Sequence, residues 1–177
     1  MGTAATVGAA GRGASVEEVP LDEVPAGPGR RPHLALLQLA DPIAATYLDE
    51  GQLWVHDGGV GVVLTLPHGP GEVELRAVAV DPAHQRRGEG LRMLAALVAR
   101  LRSAGWRRVV VGTGSADPAG IVFYQLAGFR PSHVERDAFS PARGYDPAEL
   151  VEPNGLVHRD MVWFDLDLAP EELPGPL

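Results

Sequence analysis

The chain has 177 residues, a length that suits one domain with a substantial core of its own. With 45 % hydrophobic residues, 21 % charged residues and no cysteine, it has a globular composition that excludes a disulfide framework, a thiolate metal site and a cysteine nucleophile. The net charge of −8 argues against a nucleic-acid-binding domain, which usually presents a basic face.

Targeting signals and lysine are both missing from the sequence. No apolar run reaches the ~20 residues that span a bilayer, and no signal peptide opens the chain, so we expect a cytoplasmic protein. All 15 basic residues are arginine, which is typical of a GC-rich bacterial genome. The missing lysine excludes a P-loop and a Schiff base.

The two ends of the chain are expected to be tails. Residues 1–31 are rich in Gly, Ala and Pro and have almost no large apolar residue, which predicts a disordered or loosely attached segment. Residues 170–177 contain three prolines and are interpreted in the same way. One domain is therefore predicted over 32–169.

The first elements of this domain are predicted to be a strand and a helix. The apolar segment from His33 to Ala40 predicts a short strand. Asp41-Pro42 predicts an N-cap and a first helical turn, and Gly51 ends that helix.

The middle of the chain predicts an antiparallel meander. Segments 52–56 and 60–66 are interpreted as strands, and Asp57-Gly58-Gly59 between them is a strong hairpin signal. A second turn at 68–71 leads into a longer strand over 72–80.

Helices and strands alternate in the second half. Leucines at helical spacing predict an amphipathic helix that begins near Leu91 and ends at Gly105. The remaining predicted elements are a strand at 107–112, a helix at 118–127 and strands at 129–135 and 158–168. The order β-α-β-β-β-α-β-α-β-β predicts an α+β fold with one mixed, mostly antiparallel sheet and flanking helices.

A glycine-rich turn before the amphipathic helix is predicted to bind a phosphate. It runs from Gln85 through Gly88 to Gly90, directly after a strand. Glycine permits a sharp turn and a close ligand approach, and free N–H groups at a helix start favour an anion. Arg86 and Arg87 add donors for phosphate oxygens. A dinucleotide fingerprint would need a third glycine at position 93, where methionine stands.

The Gln-x-x-Gly-x-Gly pattern of this turn resembles the pyrophosphate loop of the GNAT N-acetyltransferase superfamily. The preceding Val80-Asp81-Pro82 strengthens the resemblance, and so does the segment Phe-Tyr-Gln-Leu-Ala-Gly-Phe at 123–129, which is similar to a second family signature. The resemblance covers roughly residues 33–168 in element order. It implies a GNAT-like fold with acetyl-CoA as co-substrate and no metal.

The resemblance also implies a cofactor site. Acetyl-CoA would lie between the strand that ends at Val80 and a diverging strand that ends at Gly112. Pantetheine would pair with the backbone of three strand residues, Val78, Ala79 and Val80. The pyrophosphate would be held by the turn, that is by Gln85, Arg86, Arg87, Gly88, Glu89, Gly90 and Leu91. Ser115 would contact pantetheine at a position where one similar bacterial branch has asparagine.

Two residues are implied as catalytic. Tyr124 would lie near the thioester sulfur and protonate the leaving thiolate; the alternative is an aromatic residue that packs inward from its helix. Glu74, eleven residues before Gln85, matches the base of the histone-acetyltransferase branch. An amine with a pKa near 10 must lose a proton before it attacks. Glu72, Glu50 and an ordered water are the alternatives to Glu74 as the base.

The expected activity is transfer of an acetyl group from acetyl-CoA to a primary amine of a small molecule, by direct attack on the thioester. The alternatives are acetylation of a protein or peptide amine, and a non-catalytic acyl-CoA sensor. No nucleic-acid or membrane partner is expected. A homodimer is one option, because Trp163 and Phe164 alternate on the last strand, with one in the core and the other at an edge or an oligomer contact. The histidines show no metal-ligand spacing and are expected mainly at the surface.

Overall fold

A computed structural model describes residues 19–168, in which seven strands form one sheet with three α-helices packed on it. The strands are β1 (Leu21–Val24), β2 (Gln52–His56), β3 (Gly61–Gly69), β4 (Glu72–Val80), β5 (Arg108–Gly114), β6 (Arg130–Glu135) and β7 (Met161–Asp167). The helices are α1 (Leu34–Ala40), α2 (Glu89–Ser103) and α3 (Pro118–Leu126). None of the helices in this part of the chain is long and apolar enough to cross a membrane.

The strand order in the sheet is β1-β2-β3-β4-β5-β7-β6. β4 and β5 pair in parallel, and every other neighbouring pair is antiparallel. The helix α2 makes the crossover between the two parallel strands, and β7 returns between β5 and β6. The predicted α+β fold with a mixed, mostly antiparallel sheet is confirmed.

The predicted assignment of residues 33–51 is wrong. Residues 34–40 form the helix α1 instead of a strand, and the Asp41 N–H donates to the Leu37 carbonyl at 3.0 Å and ends that helix. The predicted helix after Asp41 is reduced to a single 3-10 turn at Ala44–Thr46. A short apolar run fits a buried strand or a buried helix equally well, so its period could not decide between them.

The folded part begins earlier than expected. β1 lies inside the segment expected to be a tail, and it pairs with β2. Leu21 of β1 is 1 % exposed. Arg30 is 2 % exposed, and its guanidinium donates to the carbonyl groups of Val24, Leu48, Glu50 and Gly51. The expected tail is therefore wrong for residues 19–31. Residues 1–18 and 169–177, which hold the rest of the two expected tails, lie outside the described residues.

The two faces of the sheet carry separate cores. On one face α2 buries Met93, Leu94 and Leu97 against β3, β4 and β5, and Phe164 of β7 is fully buried there. On the other face α1 and the 3-10 turn pack Leu37 and Tyr47 on β2, β3 and β4. Of the alternating pair on β7, Phe164 is thus the core residue. Trp163 is half-buried, and its Nε1 donates to Glu135 on the neighbouring strand β6.

β4 and β5 separate halfway along their length. Their parallel pairing covers only Glu72 to Leu75 opposite Arg108 to Val111. At the same level the pairing of β4 with β3 contains a bulge, because Leu64 opposes Ala77 and Thr65 opposes Leu75, which leaves Arg76 as the extra residue. A bulge bends its strand and increases the local twist. Beyond Leu75, the edge of β4 that faces β5 has no partner strand among the described residues.

Candidate active site

A cavity of about 460 Å³ opens where β4 and β5 separate. Its walls come from the second half of β4, the end of β5, the helix α3 and the long segment between β6 and β7. Leu75, Val78 and Gly112 line it from the strands, and Tyr124 lines it from α3. The strand edge and the α3 aromatic residue that the sequence singled out therefore face one space.

Tyr124 is the buried aromatic residue of α3. It is 8 % exposed, and its ring packs edge-on against Phe123 and Phe129 and tilted against Phe164. Its hydroxyl has no hydrogen-bond partner among the described residues, although Tyr124 lines the cavity. Burial raises the pKa of Tyr124 well above its ordinary value, and the carboxylate of Asp117 adds to the shift. The hydroxyl therefore keeps its proton at neutral pH.

The glycine-rich turn reaches α2 through a left-handed residue. Gly88 has φ +82° and directly precedes Glu89, the first residue of the helix. Within the described chain, none of the backbone N–H groups from Gln85 to Leu91 donates to a protein acceptor. Seven unpaired donors at a helix start are suited to an anion. The turn is largely exposed and lies outside the walls of the cavity.

The other residues of the turn have distinct tasks. Gln85 Nε2 donates to the Val80 carbonyl at 2.9 Å, so it ties the turn to the end of β4. Arg86 and Arg87 are exposed, and no carboxylate among residues 19–168 pairs with them. A Cβ at Gly90 would lie 2.9 Å from the ring of Phe123, so this glycine lets α2 approach α3. The two sequence motifs are therefore in direct contact.

The candidate bases are well separated. Glu74 lines the cavity and is 14 % exposed; its oxygens lie 3.5 Å from Arg76 and 3.7 Å from His68. Glu72 pairs with Arg108 at 3.2 Å and lies outside the cavity, and Glu50 is exposed and also outside it. Ser115 is exposed at the end of β5 and is not part of the cavity wall; its N–H donates to the Asp160 carbonyl.

Sequence reasoning missed a polar cluster on the acceptor side of the cavity. Asp41 is 8 % exposed, and its Oδ2 accepts from the Tyr47 hydroxyl at 2.6 Å and from the Tyr145 hydroxyl at 3.4 Å. Arg76 lies 3.5 Å from the same oxygen and 4.8 Å from the Tyr47 ring centroid. Burial raises the pKa of Tyr145 to about 12. No local signal announces this cluster, because its members come from segments up to 104 residues apart.

The segment between β6 and β7 covers the acceptor side. Phe139, Tyr145 and Leu150 from this segment line the cavity. His158 also lines it, although the histidines were expected mainly at the surface. Its Nε2 lies 2.6 Å from Glu152 Oε1, while its Nδ1 is buried and has no hydrogen-bond partner.

The comparisons with known proteins agree with this geometry. Residues 29–129, more than half of the chain, match the acetyltransferase (GNAT) family. The chain is 34 % identical over 139 residues to the uncharacterized N-acetyltransferase YvbK of Bacillus subtilis, covering 75 % of this chain and 87 % of that protein.

Two further proteins are similar to the chain. The crystal structure of a Bacillus subtilis acetyltransferase in complex with CoA superimposes with a TM-score of 0.73 at 29 % identity, covering 85 % of this chain and 99 % of that one. The ribosomal protein bS18-alanine N-acetyltransferase of Salmonella typhimurium is 31 % identical over 80 residues, which are 45 % of this chain and 54 % of that protein. The parted strands, the unpaired amides before α2 and these matches lead to one conclusion: the chain belongs to the GNAT family of acetyltransferases.

Proposed function

We propose that this acetyltransferase moves the acetyl group of acetyl-CoA to a primary amine of a small molecule, by direct attack of the amine on the thioester. The carrying observation is Tyr124, a largely buried residue at the wall of the cavity whose hydroxyl keeps its proton at neutral pH and has no hydrogen-bond partner among the described residues. A protein that only bound CoA would need no proton donor at this point.

The described residues fit CoA at two places. The open edge of β4 beyond Leu75 offers backbone donors and acceptors to the pantetheine amides, as an added strand would use them. The unpaired amides from Gln85 to Leu91 and the guanidinium groups of Arg86 and Arg87 suit the phosphates. Ser115 remains a proposed rim contact, because its side chain is exposed beside the end of β5.

The reaction needs a proton acceptor and a proton donor. We assign the first role to Glu74, the carboxylate that lines the cavity from β4. When the amine loses its proton to Glu74, directly or through water, the nitrogen lone pair attacks the thioester carbon. The C–N bond forms, the C–S bond breaks, and Tyr124 gives its proton to the sulfur. The second proton that leaves the nitrogen returns through solvent to Tyr124.

The lining of the cavity supports a cationic acceptor of limited size. Carboxylates outnumber cations in it: Asp41, Glu74, Asp117, Glu149 and Glu152 stand against Arg76. An ammonium group is favoured in such surroundings. The cover of Phe139, Tyr145 and Leu150 limits the volume on the acceptor side, which favours a small molecule over a folded protein. The cytoplasm remains the proposed compartment, and a homodimer remains an option.

A protein amine is the second candidate, because a relative over part of the chain is named a ribosomal-protein alanine N-acetyltransferase. The test is release of free thiol from acetyl-CoA with a panel of mono- and diamines, amino sugars and short peptides. CoA binding is measured by calorimetry in the same samples. Turnover with small amines supports the proposal, turnover with peptides alone supports the second candidate, and binding without any turnover identifies a sensor.

A further inference from the structure

His56, the last residue of β2, is a buried histidine whose two ring nitrogens both face oxygen atoms. The residue is 3 % exposed. Its Nδ1 lies 3.0 Å from the carbonyl oxygen of Pro20, and its Nε2 lies 3.0 Å from Oε2 of Glu89. Carbonyl and carboxylate oxygens accept hydrogen bonds and cannot donate them. The ring therefore satisfies both contacts only as an imidazolium, with a proton on each nitrogen.

Glu89 supplies the matching negative charge. It is the first residue of α2, where the helix dipole favours a carboxylate, and its Oε1 also accepts from Arg92. Hydrogen bonds from His56 and from Arg92 hold the pKa of Glu89 below its usual range. At neutral pH Glu89 is therefore a carboxylate, which accepts from the ring nitrogen and cannot donate to it.

The same contacts reach both sides of Gly88. Nη2 of Arg92 donates to the carbonyl of Arg87 at 3.3 Å as well as to Glu89. One chain of contacts therefore runs from His56 through Glu89 and Arg92 to Arg87, across the left-handed residue. His56 at the buried end of β2 thus holds in place, through Glu89 and Arg92, the turn that carries the seven unpaired amides.

The charges around His56 are few. From α2 it contacts Glu89, which in turn accepts from Arg92. From the chain before β1 it contacts the Pro20 carbonyl, which also accepts from the Asp57 N–H at 3.2 Å. Asp57, next to His56 in the chain, is exposed. Without a cation beside it, the Glu89 carboxylate would repel phosphates bound at the same turn.

We propose that His56 is a positioning residue for the CoA site: as a buried imidazolium it fixes Glu89 and the turn around Gly88, and it offsets the carboxylate charge next to the phosphates. This rests on the proposed binding of CoA. When the ring loses one proton, a nitrogen lone pair faces an oxygen, the contact becomes repulsive and the turn is released. CoA affinity consequently falls as the pH rises.

The charge of His56 is measured directly by ¹⁵N NMR of the imidazole nitrogens, with the His56→Gln variant to assign the signals. We expect the shifts of a doubly protonated ring at neutral pH in the parent protein without ligand. In the Glu89→Gln variant the introduced amide can donate to Nε2, and we expect a neutral ring that still donates from Nδ1 to Pro20. A neutral His56 in the parent protein overturns the proposal.

CoA affinity is measured by calorimetry from about pH 5.5 to about pH 9.5, the range over which histidines titrate in proteins. We expect the parent affinity to fall about tenfold towards high pH, the scale of one hydrogen bond to a charged group. In the Glu89→Gln variant the decline with pH should disappear, whatever affinity for CoA that variant has at low pH. The His56→Gln variant should bind weakly at every pH, and circular dichroism checks its fold.

The control is His133→Gln, at an exposed histidine of β6 that stacks on Trp163, far from this network in the sheet order. It should keep the pH dependence of the parent protein. Titration of the phosphates of CoA is common to all the proteins and is removed by comparison with Glu89→Gln. A decline of equal size in that variant contradicts the proposal, even if His56→Gln does not fold. A parent protein that binds no CoA at any pH contradicts the proposed function instead, and the NMR result is independent of it.

Discussion

Two tyrosine hydroxyl groups in this molecule have different roles because of where they lie. Tyr47 and Tyr124 are both buried tyrosines. The hydroxyl of Tyr47 donates to Asp41 at 2.6 Å outside the cavity wall, whereas that of Tyr124 has no protein partner and belongs to the wall. Removal of the Tyr47 hydroxyl breaks a structural contact, and removal of the Tyr124 hydroxyl takes away the proposed proton donor.

Tyr124→Phe should therefore lower kcat by roughly 10²–10⁴-fold, the range for a positioned acid, with little change in CoA affinity. The matched variant Tyr47→Phe should lower the free energy of unfolding by about 1–3 kcal/mol, because Asp41 loses a buried partner, and leave kcat near the parent value. Thiol-release kinetics, CoA calorimetry and urea unfolding of both variants make the comparison. An unchanged kcat in Tyr124→Phe would reduce Tyr124 to a packing residue.

The base is tested by the same kind of pair. Glu74→Gln should flatten the acidic limb of the kcat/KM profile and leave CoA binding intact, because Glu74 lines the cavity and is not part of the glycine-rich turn at 85–91. Glu72→Gln is the control, since Glu72 is paired with Arg108 outside the cavity and its loss should leave the shape of the profile unchanged. The measurement is a pH series on one accepted amine. Identical profiles for Glu74→Gln and the parent protein would leave water or His158 as the proton acceptor.

At the scale of elements, the turn before α2 depends on one backbone conformation. Gly88 has φ +82°, a region that β-branched residues rarely adopt, while a Cβ there would meet no atom closer than 3.7 Å. A substitution therefore strains the turn without a clash in the core.

Gly88→Val should abolish measurable CoA binding and leave a folded protein. Gly105→Val is the matched control, because Gly105 has φ +86° and open space around it but follows the other end of α2. The two variants should lose similar stability in thermal unfolding, and only Gly88→Val should lose CoA affinity in calorimetry. Equal CoA affinities in the two variants would show that the turn does not hold the phosphates.

The sequence predicted the elements from β2 to β7 because their signals are local. The hairpin glycines, the leucine spacing of α2 and the pairing of a strand with a following helix lie within short windows. The prediction for residues 33–51 was wrong because the structure there depends on contacts with distant segments. Asp41 precedes a proline, and its Oδ1 accepts from the Ile43 N–H at 3.3 Å as in an N-cap, but only a single 3-10 turn follows. Its Oδ2 accepts from Tyr47 and from Tyr145 of a distant segment, and the sequence near Asp41 carries no sign of that tertiary contact.

The candidate site likewise contains residues that local motifs predicted and residues that they did not. The glycine-rich turn and Tyr124 could be proposed as site residues from contiguous motifs. The cluster around Arg76 could not, because its partners Asp41 and Tyr145 come from segments far from β4 in the sequence. Glu152 was missed because it lies in a long segment without periodicity. His158 was missed because it was assigned to the start of the last strand, which begins at Met161, and was expected at the surface.

At the scale of the whole molecule, the start of the fold depends on Arg30. Its guanidinium satisfies four carbonyl groups at 2.9–3.1 Å and joins the end of β1 to the segment before β2. No acidic side chain is involved in these contacts. The residue acts as a cross-link between two backbone segments, which explains why a composition rich in Gly and Pro still belongs to the folded part.

Arg30→Met should lower the free energy of unfolding by about 3 kcal/mol or more, because several buried carbonyl groups lose their donors together. Arg31→Met, at the exposed neighbouring position, should change it by no more than about 0.5 kcal/mol. Urea unfolding followed by circular dichroism checks both variants. Equal free energies of unfolding for the two variants would indicate that residues 19–31 are loosely attached, as their composition suggested.

The short pairing of β4 with β5 is the only strand pairing, among the described residues, that joins the two halves of the sheet. Four residue pairs join the β1-β2-β3-β4 half to the β5-β7-β6 half, and beyond them the two strands are already apart. A long flexible ligand arm can therefore enter between the strands without breaking any hydrogen bond of the sheet. Its backbone-like amides would add hydrogen bonds to the free edge of β4. A bound arm would extend the short junction between β4 and β5 and add hydrogen-bonded pairs between the two halves of the sheet.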